Sequence, residues 1–418
     1  MHVWLITVGE PLPTLSRNSR LWRTGLLARQ LVQLGHSITW WTSRVDHIHK
    51  EFFGFDGPAL EAEPGLTLRF LDGRLYRRNI SIARLVNHWQ VGRDFRRRTL
   101  EAPRPGVVLC SFPTIELSLE AARFGQRHGV PVVLDIRDLW PDIFLQPAPA
   151  PVRPLVRLAL APYFAAARRA LREATALVAV SDGYLQWGLA GAGRAQRSLD
   201  QLFPLAYSLP APSAETRLAA RESLRKFGVD DASIVCLFAG TLGRTYDLAP
   251  VLHAARKFAE EGDERFRFLI CGDGERAREW RERASGHSNV TFTGWLAQPE
   301  MHAALVGADI GLAAYAKAAP QGVPNKVIEY LAAGLPVVSS LSGEAQALLA
   351  RAECGRSYQA GDGEALSRTL RELEPGQNRE RISRNARRKY EESFRAESVY
   401  GRLAAYLEEL AASGGRPR

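Results

Sequence analysis

Cysteine is scarce: four residues in 418, at positions 110, 236, 271 and 354, with no CxxC and no Cys/His spacing that would hold a metal. Three of the four fall in or beside apolar runs that read as buried strands. A disulfide framework is therefore excluded, and small core thiols in a reducing compartment are expected. Long apolar runs are missing too, since no stretch approaches the ~20 residues needed to span a bilayer. The opening MHVWLITVGEPLP lacks a basic n-region and its apolar run is too short for a signal sequence. It reads as a first strand, and a cytoplasmic chain is expected. No GxGxxG follows that strand, which argues against a dinucleotide site there. No DxD closes a strand, so no metal ligands are expected. No helix-turn-helix, RRM-like or zinc signature supports a nucleic-acid partner.

What is present suits a globular chain with full cores, at 46% hydrophobic and 24% charged residues. The length exceeds what one core serves, so two domains of roughly 200 residues each are expected. The net charge of +10 is unevenly spread. Residues 1–210 hold 26 Lys+Arg against 17 Asp+Glu, and the remainder holds 29 against 28. A polyanion or an anionic membrane surface would be drawn to the first half.

Strand and helix alternate throughout. VWLITV is a buried strand that breaks at Gly9, Pro11 and Pro13. RNSRLWRTGLLARQLVQLGH follows at helical spacing and stops at Gly35, and SITWWTS is the next strand. That order opens a parallel α/β sheet. Further strands are expected at LTLRFL, VVLCS, PVVLDI and ALVAVS, with helices through 73–100, up to His128, and from Leu155 to Ala174. The pattern loosens at QLFPLAYSLPAPSAETR, which places a linker near residue 210. Beyond it the scheme repeats through SIVCLFAG, FRFLICG, NVTFTGWL and DIGLAAY. The expected fold class is α/β, with two Rossmann-like domains, 1–210 and 211–393, facing one another across a cleft. A C-terminal helix and tail, 394–418, crosses back to the first domain.

Two segments of the first half suggest chemistry. Arg74, Arg77, Arg78, Arg84, Arg93 and Arg96 to Arg98 interleave with Tyr76, Ile80, Ile82, Trp89 and Phe95. This is either an amphipathic helix with a solvated basic face or a face that docks on an anionic membrane or acidic acceptor. DIRDLWPD ends a strand with Asp135, Arg137, Asp138, Trp140 and Asp142. Ligands of open α/β sheets bind beyond the C-terminal ends of strands, although a salt-bridge knot would look the same.

In the second half, GVPNKVIEYLAAGLPVVSS runs from Gly322 to Ser340. Pro324 suits the first turn of a helix and Gly334 its end. Asn325 and Glu329 share a face beside Lys326. An amide, a cation and a carboxylate at a helix N-terminus can grip a phosphorylated, hydroxyl-rich ligand, though a solvated first turn reads the same way. Three strand-end loops precede it: AGTLGRTYD with Gly240 and Arg244, CGDGE with Gly272 and Gly274, and TGWLAQPE with Gly294, Trp295 and Leu296.

Together, GEPLP with RNSRLWRTGLLA, GHSITWWTS followed by DH, DIRDLWPD, GTLGRTYDL, CGDGE and PNKVIEYLAAGLPVVSS carry a resemblance over nearly the whole chain. The chain resembles the retaining glycosyltransferases of family 4 with the GT-B fold. Within them it is most similar to the bacterial surface-polysaccharide branch that includes L-fucosamine (N-acetyl-fucosamine) transferases. The resemblance implies a UDP-type nucleotide-diphospho-sugar donor in the second domain, with no further cofactor and no metal. Glu329, matching the second Glu of an E-x7-E motif, would bind the ribose. Lys326 and Arg244 would hold the diphosphate, with Gly240 and Asn325 beside them, and Gly294, Trp295 and Leu296 would meet the base near Gly272 and Gly274. In the first domain Asp138 is the catalytic candidate and Arg23, Arg137 and Trp140 the acceptor contacts. The acceptor implied is a polyprenyl-diphosphate-linked saccharide at the inner membrane face, which the basic first half would approach peripherally. Attack from the leaving-group face, with the phosphate as base, follows from the same resemblance. Two positions depart from the pattern. Gln321 stands where the first Glu belongs, and Thr241 and Tyr246 replace the Arg and Lys of a G-R-L-x-x-x-K loop. The rival readings are a nucleotide-sugar 2-epimerase, a non-catalytic sugar-nucleotide-binding protein and a basic nucleic-acid-binding protein.

Overall fold

The apolar runs of the first 200 residues assemble into an eight-stranded sheet. Across it lie Gln201–Leu202, Ala176–Ala179, Val132–Ile136, Val107–Phe112, His2–Ile6, Ser37–Ser43, Leu66–Leu71 and Ala59–Glu63. Every pairing is parallel except the last, where Ala59–Glu63 runs antiparallel at the edge. This computed structural model describes residues 1–15, 20–79, 81–145, 148–317, 319 and 322–415. A second sheet, parallel throughout, orders Val290–Gly294, Phe266–Cys271, Ile234–Ala239, Ile310–Ala313, Val337–Ser339 and Gly355–Ser357.

Contacts divide the chain into one unit of residues 1–204 with 397–418 and another of 205–396. The crossing falls at Pro204, inside the loosened stretch and ahead of residue 210, because Tyr207 is held by the second unit. Its N–H donates to Phe394 O at 3.1 Å, and its carbonyl accepts from Ala396 N at 3.0 Å. The last helix belongs to the first unit, where Tyr406 Oη donates to Leu199 O at 2.8 Å and His36 Nε2 lies 2.6 Å from Glu408 Oε1.

Strand alternation sends Trp40 and Trp41 to opposite faces of the first sheet, both fully buried. Trp41 meets Trp4 at 5.2 Å and Phe95 at 5.3 Å, while Trp40 Nε1 donates to Thr7 O at 3.1 Å. The four cysteines are buried and unbonded.

Three local expectations change. The helix read through 73–100 covers only Ile82–Arg98, because Ser81 caps it, its Oγ accepting from Arg84 N at 3.2 Å. The helix read from Leu155 to Ala174 is two, Arg153–Ala159 and Ala161–Glu173. Pro162 in the first turn of the second has no N–H to continue the first. Pro324 is the N-cap of Asn325–Ala333 rather than a residue of its first turn, while Gly334 ends that helix at φ 74°.

In each sheet the strand order reverses beside one central strand, His2–Ile6 in the first and Ile234–Ala239 in the second. Ligands of open α/β sheets enter beyond the C-terminal ends of strands at such reversals.

Candidate functional site

In the second unit, the helix Asn325–Ala333 is tied to both strands of the reversal by one side chain. Tyr330 Oη accepts from Ala239 N at 2.9 Å and donates to Leu312 O at 3.2 Å. This anchoring places Lys326 beneath the strand-end loops, 5% exposed. Its Nζ lies 3.3 Å from the centroid of the Phe238 ring, 3.9 Å from that of Tyr246 and 5.7 Å from that of Tyr315. No hydrogen-bond acceptor reaches Nζ among the described residues. Ring faces attract a cation, but exclusion of water wins. Burial drives Lys326 well below the ordinary lysine value, with Glu329 pulling the other way. Tyr246, which replaces the usual loop lysine, is thus a wall of the cage around this ammonium.

Gly272 and Gly274, in the second of the three preceding loops, let backbone approach backbone. A Cβ on Gly272 would stand 2.0 Å from Gly240 O, and one on Gly274 would stand 2.8 Å from Leu242 N and O. Gly240 N donates to Cys271 O at 2.9 Å, Leu242 N to Asp273 O at 2.8 Å and Gly272 N to Gly294 O at 2.8 Å. The loops are therefore stitched into one surface, and Gly272 and Gly274 build the site by packing.

Around Lys326, Asn325 is exposed and Glu329 half-buried. Arg244 is 89% exposed and its Nε lies 3.4 Å from Glu275 Oε1. Leu296 is buried and Trp295 is 76% exposed. Gln321 lies outside the described residues.

The first unit gathers more charge and leaves less of it unanswered. Arg23 Nε and Nη2 donate to Asp135 Oδ2 and Oδ1 at 2.8 and 3.0 Å, and Nη1 donates to Pro204 O at 2.9 Å. Arg137 Nε donates to the same carboxylate at 2.7 Å, Nη2 to Thr24 Oγ1 at 3.1 Å, and Nη1 to Glu10 Oε1. Glu10 also receives Thr24 N at 2.9 Å, which sets a carboxylate at the N-terminus of the helix Arg23–Gln33. Burial works against the charged form of Asp135, yet Arg137 and Arg23 hold it below the usual carboxylate range. Arg23 and Arg137, the residues expected to contact an acceptor, are both held in this network. Their guanidiniums are consumed in joining the first helix to the strand end.

Asp138 accepts from Leu139 N at 2.8 Å and from Trp140 Nε1 at 3.2 Å. Burial raises it above the usual range, against the pull of Arg84. Trp140 is buried, edge-to-face with Phe144 at 4.6 Å and with the Arg84 guanidinium 4.6 Å above its ring, so it lines the region as a wall. Beside them lies a group that sequence reasoning missed. Glu116 Oε2, His88 Nδ1 and the Tyr163 hydroxyl are buried with no hydrogen-bond partner among the described residues. Oε2 and Nδ1 are 4.0 Å apart. Burial pushes Glu116 up to about 7, and burial with the Arg84 charge holds His88 down to about 3. No spacing links these residues, because three different helices supply them.

Residues 22–202 match the family model described as Glycosyl transferase 4-like domain, and residues 233–374 match the one described as Glycosyl transferases group 1. No curated protein matches the sequence. Among solved structures, the sucrose-phosphate synthase of Thermosynechococcus elongatus is 14% identical over 99% of both chains, with a TM-score of 0.75. Anabaena HepE in complex with UDP is 14% identical over 98% of this chain and 100% of its own, with a TM-score of 0.68. WaaG, a glycosyltransferase involved in lipopolysaccharide biosynthesis, is 16% identical over 97% of this chain and 99% of its own, with a TM-score of 0.64. At such identities the likeness establishes the GT-B fold. With both family models matched in order along it, the chain belongs to the glycosyltransferases that join a 4-like domain to a group 1 domain.

Proposed function

We propose that this glycosyltransferase moves an amino or deoxy sugar from a UDP-type donor to a polyprenyl-diphosphate-linked saccharide, with retention at the anomeric carbon. The product would serve surface polysaccharide synthesis, as O-antigen or capsule, at the cytoplasmic face of the inner membrane. The observation that carries the reading is Lys326, a buried ammonium at a strand reversal and a helix N-terminus with no acceptor among the described residues. A diphosphate would supply the missing partner. HepE, which shares the fold, was solved with UDP.

In this reading Lys326 and the helix start at Asn325 take the diphosphate, Glu329 the ribose, and the loop of Gly294, Trp295 and Leu296 the base. Arg244 joins by exchanging Glu275 for phosphate, a small cost because exposed ion pairs are worth only about 0–1 kcal/mol. As the bond from the anomeric carbon to the β-phosphate breaks, negative charge grows on the departing oxygen. A fixed cation in a site with little water stabilises that charge, so the reading needs neither a metal nor a further cofactor. The acceptor hydroxyl attacks from the same face and passes its proton to the leaving phosphate. Asp138, Glu116 and His88 are assigned to the acceptor side. The surplus of basic residues in the first half supports a membrane-linked acceptor, and no helix among the described residues is long and apolar enough to cross a bilayer.

The test is a panel of UDP-, GDP- and TDP-sugars with and without a lipid-linked acceptor, in the presence of chelator. UDP release from one donor, stimulated by acceptor and with retained configuration, is expected. An epimerised sugar formed without acceptor would favour the 2-epimerase, and binding without turnover would favour a sugar-nucleotide sensor. Failure to bind any nucleotide sugar would overturn the reading.

A further inference from the structure

The helix Arg153–Ala159 buries none of its seven residues. Leu155 is 67% exposed and Leu158 72%, three residues apart on one face, and Val152 just before them is 42% exposed. A helix this short is not stable on its own hydrogen bonds, and surface helices ordinarily gain stability by burying an apolar face. Here that face points outward.

Beside it a groove of about 580 Å³ is lined by Arg157, Arg168 and Arg172 together with Phe164, Leu171 and Trp187. The neighbouring Arg169 is paired with Glu173, whereas no carboxylate lies within ion-pair distance of those three arginines among the described residues. Asp142 also lines the groove, and its Oδ2 accepts from Trp187 Nε1 at 3.0 Å. Unanswered guanidiniums next to outward leucines form a pattern that fits phosphate headgroups above acyl chains. In the basic stretch at 74–98, Arg97 and Arg98 are paired with Asp94 and Arg84 lies over Trp140, as Arg157 lies 5.1 Å over the Phe164 ring here.

We propose that this face seats the first unit on an anionic phospholipid bilayer. Arg157, Arg168 and Arg172 contact lipid phosphates, and Leu155 and Leu158 enter the acyl boundary. The inference rests on the reading of a membrane-linked acceptor and gives it a docking surface.

Co-sedimentation of the full chain with vesicles tests it, using phosphatidylcholine alone or phosphatidylcholine with one-third phosphatidylglycerol. Binding to the anionic vesicles alone is expected, weakening as salt rises. The triple variant Arg157→Glu, Arg168→Glu, Arg172→Glu should lose at least about tenfold in vesicle affinity. Leu155→Ser with Leu158→Ser should lower binding at every salt concentration. All five side chains lie outside the donor site and the core, so UDP affinity and the unfolding midpoint should stay at wild-type values. Equal binding to both vesicle types, or wild-type binding by either variant, would overturn the proposal. So would inorganic phosphate displacing the protein as well as added vesicles do, since the ligand would then be a free phosphate. Loss of UDP binding by the wild-type protein strikes the proposed function alone, whereas absent vesicle binding with UDP binding intact strikes this inference alone.

Discussion

In the first unit Asp135 and Glu10 answer Arg23 and Arg137, charge for charge, at distances such as 2.8 Å from Arg23 Nε to Asp135. In the second unit Lys326 is as deeply placed, but it faces aromatic rings and no acceptor among the described residues reaches its Nζ. Both groups gather toward the C-terminal ends of strands. A buried network with every charge paired is complete and serves as a tie. A buried cation without a partner is costly to fold, which is tolerable where a ligand supplies the partner. The proposed donor site rests on this difference in satisfaction, where charge content alone would have favoured the first unit.

The largest effect should come from breaking the complete network. Asp135→Ala leaves two buried guanidiniums without their shared carboxylate and should destabilise the first unit by about 3–5 kcal/mol. Chemical denaturation measures this, and UDP affinity of the folded fraction should not change. A loss of UDP binding in proportion to stability would erase the distinction between the two units.

Next in size is Lys326→Met, which should move stability and activity in opposite directions. Turnover should fall by about 10²–10³-fold, the scale for removing one preorganised stabiliser of developing charge. The unfolding midpoint should rise, by about 2–4 °C for each kcal/mol of burial cost removed. A midpoint that fell would make Lys326 a structural residue like Arg23.

The pH dependence sharpens the same point. Burial holds Lys326 below its ordinary value of 10.5 in the free protein. A bound diphosphate would raise it again. Between the free and bound values, binding takes up a proton, so UDP affinity should increase as pH falls through that window. Calorimetry in buffers of different ionisation heat would count that proton, and Lys326→Met should abolish the uptake. Uptake that persists in the variant would assign the proton elsewhere.

The smallest effect is expected from Arg244→Ala. An exposed side chain that must leave Glu275 to reach phosphate should contribute no more than about tenfold to kcat/KM, near 1.4 kcal/mol. A loss matching that of Lys326→Met would mean that the loop closes over the donor.

Much of the scaffold was legible. VWLITV, SITWWTS and SIVCLFAG announce buried parallel strands because both faces are covered and the runs are continuously apolar. The edge strand Ala59–Glu63 escaped notice since ALEAE carries two glutamates and looks like surface. The helix Asp182–Ala192 also went unread in the passage after ALVAVS. In the donor region NKVIE pointed to Lys326, but as a surface cation; its enclosure by Phe238, Tyr246 and Tyr315 joins residues from three separate segments. That Gly272 and Gly274 leave room for a neighbouring loop was equally hidden, since the backbone they meet is that of Gly240 and Leu242. Arg23 and Asp135 carried no sign of partnership, being 112 residues apart.

The sequence by itself determined the local grammar: strand and helix periods, the stop at Gly334, the thiols as core residues and the repeated α/β plan. These follow from backbone sterics and from burial of apolar faces, both readable over a few neighbouring residues. Only the tertiary structure decided which charges are answered. Pairing acts through space over a few ångströms, and its strength depends on how far water is excluded there. Both depend on which strand-end loops meet, and that is why Arg23 lies against Asp135 while no acceptor among the described residues reaches Lys326 Nζ.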